Sequence, residues 1–157
     1  MAPITDSGNV LEKTIVGAFQ TKGFCLVSYR EYYKNPASYG EEVLLKNAPY
    51  STIYKHNGVT EYLLKSRKYN KEIRIECKWQ QVSRSVDEKL PYLYLNCVER
   101  VPEKEIIVII DGDGWKKGAI EWLRDAVQNK KYENSTNPKT IRIFNLKQFV
   151  TWVNKEF

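Results

Sequence analysis

Histidine is nearly absent from this 157-residue chain, which contains one, His56. Nucleases that work through several histidines and multi-histidine zinc enzymes are therefore excluded, because both need more than one imidazole group. A Ser-His-Asp triad would depend on His56 alone, and this residue, between Lys55 and Asn57, is typical of a turn. Hydrolytic chemistry in this chain must rest mainly on carboxylates and lysine.

Cysteine is also scarce, with three widely spaced residues and no Cys-x-x-Cys pair. This pattern argues against a zinc site or a disulfide framework and fits a reducing cytosol. No run approaches the roughly 18 apolar residues of a membrane span. The N-terminus lacks the basic and apolar regions of a signal peptide, so we expect a cytoplasmic protein.

The charge and the length of the chain indicate its kind of partner and its number of domains. The 25 basic residues outnumber the 19 acidic residues, and the net charge of +6 suits a polyanionic partner such as nucleic acid. The length predicts a single domain over residues 1–157 with a sizeable hydrophobic core.

Apolar periodicity predicts an α/β protein with a mixed central sheet flanked by helices. The predicted helices are 8–22, 116–128, 146–154 and 90–98, although the Tyr-Leu-Tyr-Leu run in the last of these also fits a strand. The predicted strands are 24–29, 59–65, 72–79, 106–110 and 140–144. The aromatic and polar segment 30–58 is interpreted as an insertion or long excursion.

The predicted strand 72–79 carries the most informative pattern. Residues alternate between the two faces of a strand, so Arg74, Glu76 and Lys78 share one face. The preceding strand carries Glu61, and the turn 67–71 is suited to fold the two strands together. Two carboxylates and a lysine on adjacent strands are what a metal-dependent phosphodiesterase needs.

The Asp/Glu-x-Lys triplet alone is unspecific, because about two copies are expected by chance in such a chain. It occurs twice, as Glu76-Cys77-Lys78 and as Asp87-Glu88-Lys89. Glu76 and Lys78 could be an ordinary surface pair, and Glu61 an ordinary acid of an edge strand. The position of the first copy, on a β-branched strand after an acidic strand, favours the functional interpretation.

Further candidate sites remain open to a functional or a structural interpretation. Glu12 borders the apolar stripe of the first helix and either leans into the same cleft or reaches solvent. Asp111 and Asp113 end a buried strand and either bind a metal or form a glycine-rich turn that caps the next helix. The segment after the candidate catalytic strand supplies donors for DNA or is a solvated loop; its candidates are Gln80, Gln81, Ser83, Arg84 and Lys89.

The helix with Glu12, the strand with Glu61, the hairpin and the triplet Glu76-Cys77-Lys78 resemble the PD-(D/E)XK nuclease superfamily. The run from Ile75 to Tyr92, followed by an apolar strand and an Asp-Gly-x-Gly turn at 106–114, resembles small bacterial and phage members. The resemblance covers about 8–157 and implies a restriction-endonuclease-like αβββαβ core.

The resemblance also implies roles for individual residues. Glu61, Glu76 and the backbone carbonyl of Cys77 would bind Mg²⁺, which Mn²⁺ may replace, and Lys78 would assist the attacking water. Glu12 is similar to a helix glutamate of Holliday-junction resolvases and would add a further ligand. The chain departs from the superfamily at its name-giving dipeptide, because Thr60-Glu61 stands where Pro-Asp would.

The implied function is a Mg²⁺-dependent endonuclease acting on duplex DNA in the cytoplasm of a bacterial or phage-infected cell. It could be a restriction-type, phage or mobile-element, or homing-type enzyme. The alternatives are a Holliday-junction resolvase or repair nuclease, a non-catalytic DNA-binding domain of the same fold, and a nucleotide enzyme built on Asp111 and Asp113. We expect a homodimer on DNA, with contacts from 30–58 and from Phe149, Trp152 and Val153.

Overall fold

The computed structural model describes residues 3–79 and 88–157, and the side chains of 10–79 and 88–157. Its helices are α1 Pro3–Gln20, α2 Tyr29–Lys34, α3 Lys89–Glu99, α4 Lys117–Gln128 and α5 Leu146–Glu156, with a short 3₁₀ turn at Pro36–Ser38. Its strands are β1 Cys25–Ser28, β2 Glu42–Ser51, β3 Asn57–Ser66, β4 Lys71–Trp79, β5 Glu105–Asp111 and β6 Thr140–Phe144. Within these ranges no helix is long and apolar enough to cross a membrane.

The six strands form one mixed sheet in the order of the sequence, β1-β2-β3-β4-β5-β6. β2, β3 and β4 are antiparallel neighbours, whereas β1 pairs in parallel with β2, β4 with β5, and β5 with β6. The parallel pairs are joined by helical connections, as their geometry requires. The predicted mixed sheet flanked by helices is confirmed.

The segment 30–58 contributes a strand that the sequence analysis missed. It contains most of α2 and the 3₁₀ turn, but also β2, which pairs with β3 from Glu42↔Ser66 to Ser51↔Asn57. β2, β3 and β4 are the three consecutive strands of the expected αβββαβ core. The remaining predicted helices and strands are present within a few residues of the predicted bounds.

The larger hydrophobic core lies between the sheet and the pair α1 and α5. Side chains of both helices pack on the apolar face of β4 and β5, which carries Ile73, Ile75, Ile107 and Ile109. Phe149 and Val153 of α5 are completely buried in this core. The prediction that they contact a second copy is therefore wrong, because their side chains are already used inside the chain.

The opposite face of the sheet packs against α3 and α4. Ile106, Val108 and Ile110 of β5 meet Leu93 and Cys97 of α3 there. The register pairs Glu76 with Val108, so the side chain of Glu76 points to this same face, towards α3. The candidate site thus lies on the α3 side of the sheet.

The β2–β3 ladder is interrupted beside the candidate site. Asn47 has a left-handed backbone with φ of 56° and is unpaired in the register, as is Glu61 opposite it, although their neighbours on either side are paired. The register is the same on both sides of this point, so neither strand carries an extra residue. Leu45 and Ala48 belong to one apolar cluster although they are three residues apart, so the alternation of faces in β2 shifts at Asn47. We call this unpaired position, Asn47 opposite Glu61, the ladder break.

Candidate active site

The closest contact in the candidate site joins the two outer residues of the Glu-x-Lys triplet. Lys78 Nζ lies 2.7 Å from Glu76 Oε1. The Glu76 side chain is 6% exposed and the Lys78 side chain 32% exposed, so the pair leads from the interior to solvent. An ion pair of this geometry is charge-assisted and well oriented.

The second carboxylate oxygen of Glu76 is unsatisfied. Glu76 Oε2 is buried and has no hydrogen-bond partner among the residues that the structure describes. A buried carboxylate oxygen without a donor is costly, and such atoms call for a physical explanation. A cation at this position would supply one.

Glu61 is held against the backbone of β4, the candidate catalytic strand. The regular β3–β4 ladder stops at Tyr62↔Ile75, and beyond it Glu61 Oε2 accepts a hydrogen bond from the backbone N–H of Cys77 at 2.8 Å. The carboxylate replaces a strand-to-strand hydrogen bond where the two strands separate. Its position beside the Glu76-Cys77-Lys78 triplet follows from this bond.

Both carboxylates are costly to ionise. Burial, followed by repulsion from Glu76, raises the pKa of Glu61 from 4.5 to about 7. Burial also raises the pKa of Glu76, although the attraction of Lys78 and Arg74 opposes this shift. Paired carboxylates with raised pKa values in one site are typical of functional sites.

Lys78 remains a cation in this setting. Burial alone would lower its pKa, but the attraction and hydrogen bond of Glu76, together with the charge of Glu61, outweigh burial and raise the pKa. A lysine with a raised pKa is unsuited to accept a proton at neutral pH. Its chemistry is therefore to donate hydrogen bonds and to stabilise negative charge.

Glu12 lies on α1, which packs on the face of the sheet opposite to Glu76. It is solvent-exposed, and its charge contributes to raising the pKa of the Cys77 thiol, after burial and the charges of Glu61 and Glu76. Its charge therefore acts on β4 at Cys77, the middle residue of the triplet. Whether Glu12 takes part in chemistry stays a prediction.

The oxygen atoms in this site fit a hard divalent cation. In the two described ranges, no group of three or more histidine, cysteine and acidic side chains is arranged to hold a metal. The donors are instead the two carboxylates, with the carbonyl of Cys77 predicted to join them. Mg²⁺ is commonly bound by only one or two carboxylates and keeps several waters, so this set and the orphaned Glu76 oxygen suit it.

The other predicted residues are more dispersed. Gln80, Gln81, Ser83 and Arg84 lie outside the described residues, and Lys89 is an exposed residue in the first turn of α3. Asp111 pairs with Trp79 at the end of β5, and Gly112 has φ of 93°, which fits the predicted turn. The predicted cap by Asp113 is wrong, because Lys116 is the N-cap of α4.

Sequence analysis gave no role to Arg74, which stabilises the strands under the site. Arg74 is 2% exposed; its Nε donates to Glu103 Oε1 at 2.7 Å, and its Nη1 donates to the carbonyl of Ala48 at 2.8 Å and to Thr60 Oγ1 at 3.1 Å. It thereby joins β2, β3 and β4 next to the ladder break. The sequence placed Arg74 on the polar face of its strand with Glu76 and Lys78, and nothing in that pattern indicated its burial.

Comparison with known families agrees with the fold. Residues 4–157 match the family model of a PD-(D/E)XK nuclease superfamily domain. Searches among curated proteins and among solved structures gave no match. Nucleases of this superfamily generally use divalent metals, and a nuclease domain implies a nucleic-acid substrate. Because the match spans nearly the whole chain, the protein belongs to the PD-(D/E)XK nuclease superfamily.

Proposed function

We propose that this protein is a Mg²⁺-dependent endonuclease that hydrolyses phosphodiester bonds of duplex DNA. The observation that carries the proposal is the buried Glu76, paired through one oxygen with Lys78 and left with its other oxygen unpaired. Glu61 stands beside it on the neighbouring strand. This arrangement holds two anionic oxygen donors and one cation at the end of β4, where the site meets solvent.

Glu61, Glu76 and the carbonyl of Cys77 would hold the metal, and Glu12 would add a more distant carboxylate. When bound, the cation supplies charge neutralisation at the phosphate and a more acidic water. Lys78, as an ammonium group, donates to the attacking water or to a phosphate oxygen and stabilises the negative charge that develops there. Water attacks phosphorus in line and the 3′ oxygen leaves.

The net charge supports nucleic acid as the partner. The chain carries +6, which attracts the phosphate backbone and makes binding salt-dependent. The 80–89 segment follows the catalytic strand directly, so Arg84 and Lys89 are proposed phosphate contacts. Alanine at either position should weaken binding and reduce the salt dependence of the affinity.

A plasmid assay tests the proposal. Supercoiled plasmid should be cut with Mg²⁺ or Mn²⁺ and left intact with EDTA. Lys78→Ala and Glu76→Gln should each lower the cleavage rate by at least about 100-fold, because each removes a group that stabilises the transition state. Without metal, Glu76→Gln should hold or tighten DNA binding, because a repelling charge is lost, and Lys78→Ala should hold or weaken it.

A second ion pair provides matched controls. Lys131 Nζ lies 3.8 Å from Asp125 Oδ2 at the C-terminal end of α4, and the two side chains are 38% and 57% exposed. Lys131→Ala and Asp125→Asn should cut plasmid at the wild-type rate. Full activity of Lys78→Ala and Glu76→Gln would refute the site, whereas DNA binding without cleavage by the wild type under any metal would favour the non-catalytic DNA-binding alternative.

A further inference from the structure

The tip of the β2–β3 hairpin is fixed along one stripe of α3. Asn96 is 1% exposed, and its Oδ1 accepts a hydrogen bond from the backbone N–H of Ile53 at 2.9 Å. One turn later, Arg100 Nε donates to the carbonyl of Ser51 at 3.0 Å. Tyr92, one turn before Asn96, lies on the same stripe because residues four apart share a helix face. The hairpin tip is therefore a supported, ordered element.

This docking presents one aromatic ring to solvent. Tyr54 stacks on Tyr92 with ring centroids 5.4 Å apart and an angle of 20° between the planes. Tyr54 nevertheless remains 64% exposed, so the stack covers one side of the ring and leaves the other open. An aromatic ring already ordered in this way costs little entropy when a second flat group stacks on it.

The aromatic pair lies on the same side of the sheet as the candidate active site. Tyr50, in the same hairpin as Tyr54, packs against the core on the α3 side of the sheet. Arg74, two residues before Glu76 on this face of β4, lies over the Tyr50 ring with its Cζ 5.8 Å from the ring centroid. Burial, followed by the charge of Glu76, raises the pKa of Tyr50 to about 12. The hairpin that presents Tyr54 therefore adjoins the candidate site.

The surroundings of Tyr54 are polar rather than apolar. On the hairpin tip it is followed by Lys55 and His56, and its ring centroid is 6.2 Å from that of His56. The exposed charged residues at the two ends of α3 are two acids and two bases: Glu88, Lys89, Glu99 and Arg100. A single open ring in polar surroundings suits a flat, polar nucleobase better than an apolar protein surface.

We propose that Tyr54, backed by Tyr92, is a stacking surface for one unpaired base of the substrate. A base inside a duplex cannot reach such a ring without leaving its own stack, so the surface selects DNA with a single-stranded or unpaired segment beside the scissile phosphate. The inference rests on the proposed nuclease function and specifies its substrate. It assigns Tyr54 to substrate recognition and leaves the chemistry to Glu61, Glu76 and Lys78.

Binding measured in EDTA tests the stacking surface separately from cleavage. The probes are a 20-base-pair blunt duplex, the same duplex with a five-nucleotide single-stranded overhang, and the overhang strand alone. Tyr54→Ala should weaken binding of the two probes with unpaired bases about tenfold or more and change blunt-duplex binding less than about twofold. Tyr54→Phe keeps the ring and should bind all probes as the wild type does.

Tyr132→Ala is the matched control, because Tyr132 is equally exposed at 66% and lies after α4. 2-Aminopurine in the overhang gives a second readout on the unaltered protein, since stacking on tyrosine should quench its fluorescence. Wild-type binding of the overhang probe by Tyr54→Ala, an equal loss on all three probes, or no quenching would overturn the proposal. Overhang preference without metal-dependent cleavage of either the plasmid or the overhang duplex would support stacking and refute the nuclease function.

Discussion

At the scale of the residue, the spacing of the Glu-x-Lys triplet brings its two charged side chains together, because every second residue of a strand points to the same face. The roots of Glu76 and Lys78 are about 6–7 Å apart on one face, and their side chains close this gap to 2.7 Å. The inner residue is buried and the outer one reaches solvent. The same spacing on a helix would place the two side chains on different faces.

Glu61 yields a prediction for stability in the absence of metal. Its pKa is raised from 4.5 to about 7 in the folded protein, so the folded state binds this proton more tightly than the unfolded chain. Its contribution to stability is therefore complete below about pH 4.5 and is lost as the pH rises to about 7. This loss amounts to at most about 1.4 kcal/mol of unfolding free energy per pH unit in the wild type, and Glu61→Gln should abolish it.

Urea unfolding in EDTA at several pH values measures this effect as the difference between variant and wild type. Glu72→Gln is the control, because the Glu72 side chain is 61% exposed and pairs with Lys65 at 3.6 Å. Its difference from the wild type should stay flat over the same window. If the unfolding free energy of Glu61→Gln had the same pH slope as that of the wild type, the description of Glu61 as a buried carboxylate repelled by Glu76 would be contradicted.

At the scale of the element, the ladder break between β2 and β3 coincides with the residue whose side chain bonds β4. Asn47 takes a left-handed backbone that few residues other than glycine and asparagine adopt easily. The alternation of β2 shifts there, at the position where Glu61 is also unpaired in the register. The side chain of Glu61 instead accepts a hydrogen bond from the backbone of Cys77 in β4.

Asn47→Val should therefore disturb both stability and activity. A β-branched residue in the left-handed region should cost about 1–2 kcal/mol, and a changed backbone at the ladder break should move Glu61 relative to β4. Unfolding free energy and plasmid cleavage rate should both fall. Lys46→Val is the control, because Lys46 is an exposed, regularly paired neighbour in β2; equal losses in both variants would show that the ladder break has no special role.

Helices and strands could be predicted from the sequence where the periodicity of apolar residues is regular. β2 was missed because its periodicity is interrupted. The run Ile106–Ile110 and the alternation in 72–79 indicate strands without ambiguity. β2 contains a left-handed Asn47 and Pro49, both of which break the strand pattern. For the same reason the sequence could place Glu61 on the adjacent strand but could not predict its hydrogen bond to Cys77, which depends on the two strands separating.

At the scale of the whole molecule, the number of sites limits what one chain can do to a duplex. The described part of the sheet carries one Glu-x-Lys pair at one end of β4. A single site cuts one strand in each binding event, whereas two sites related by a twofold axis can cut both strands. We therefore predict a homodimer on DNA, formed by surfaces other than Phe149 and Val153, which are buried in the core.

Mixing wild type with an inactive variant tests this prediction. If the active species is a dimer, an equimolar mixture of wild type and Lys78→Ala gives about half mixed dimers, each with one working site. Plasmid should then shift from linear product towards nicked circles, because a mixed dimer cuts only one strand. Lys131→Ala in place of Lys78→Ala should leave the product ratio unchanged, since Lys131 lies on the surface beyond α4, outside both the candidate site and segment 30–58. Simple dilution of the linear product, with no extra nicked circles and with a monomeric mass on a cleaved duplex by sedimentation, would show that one chain acts alone.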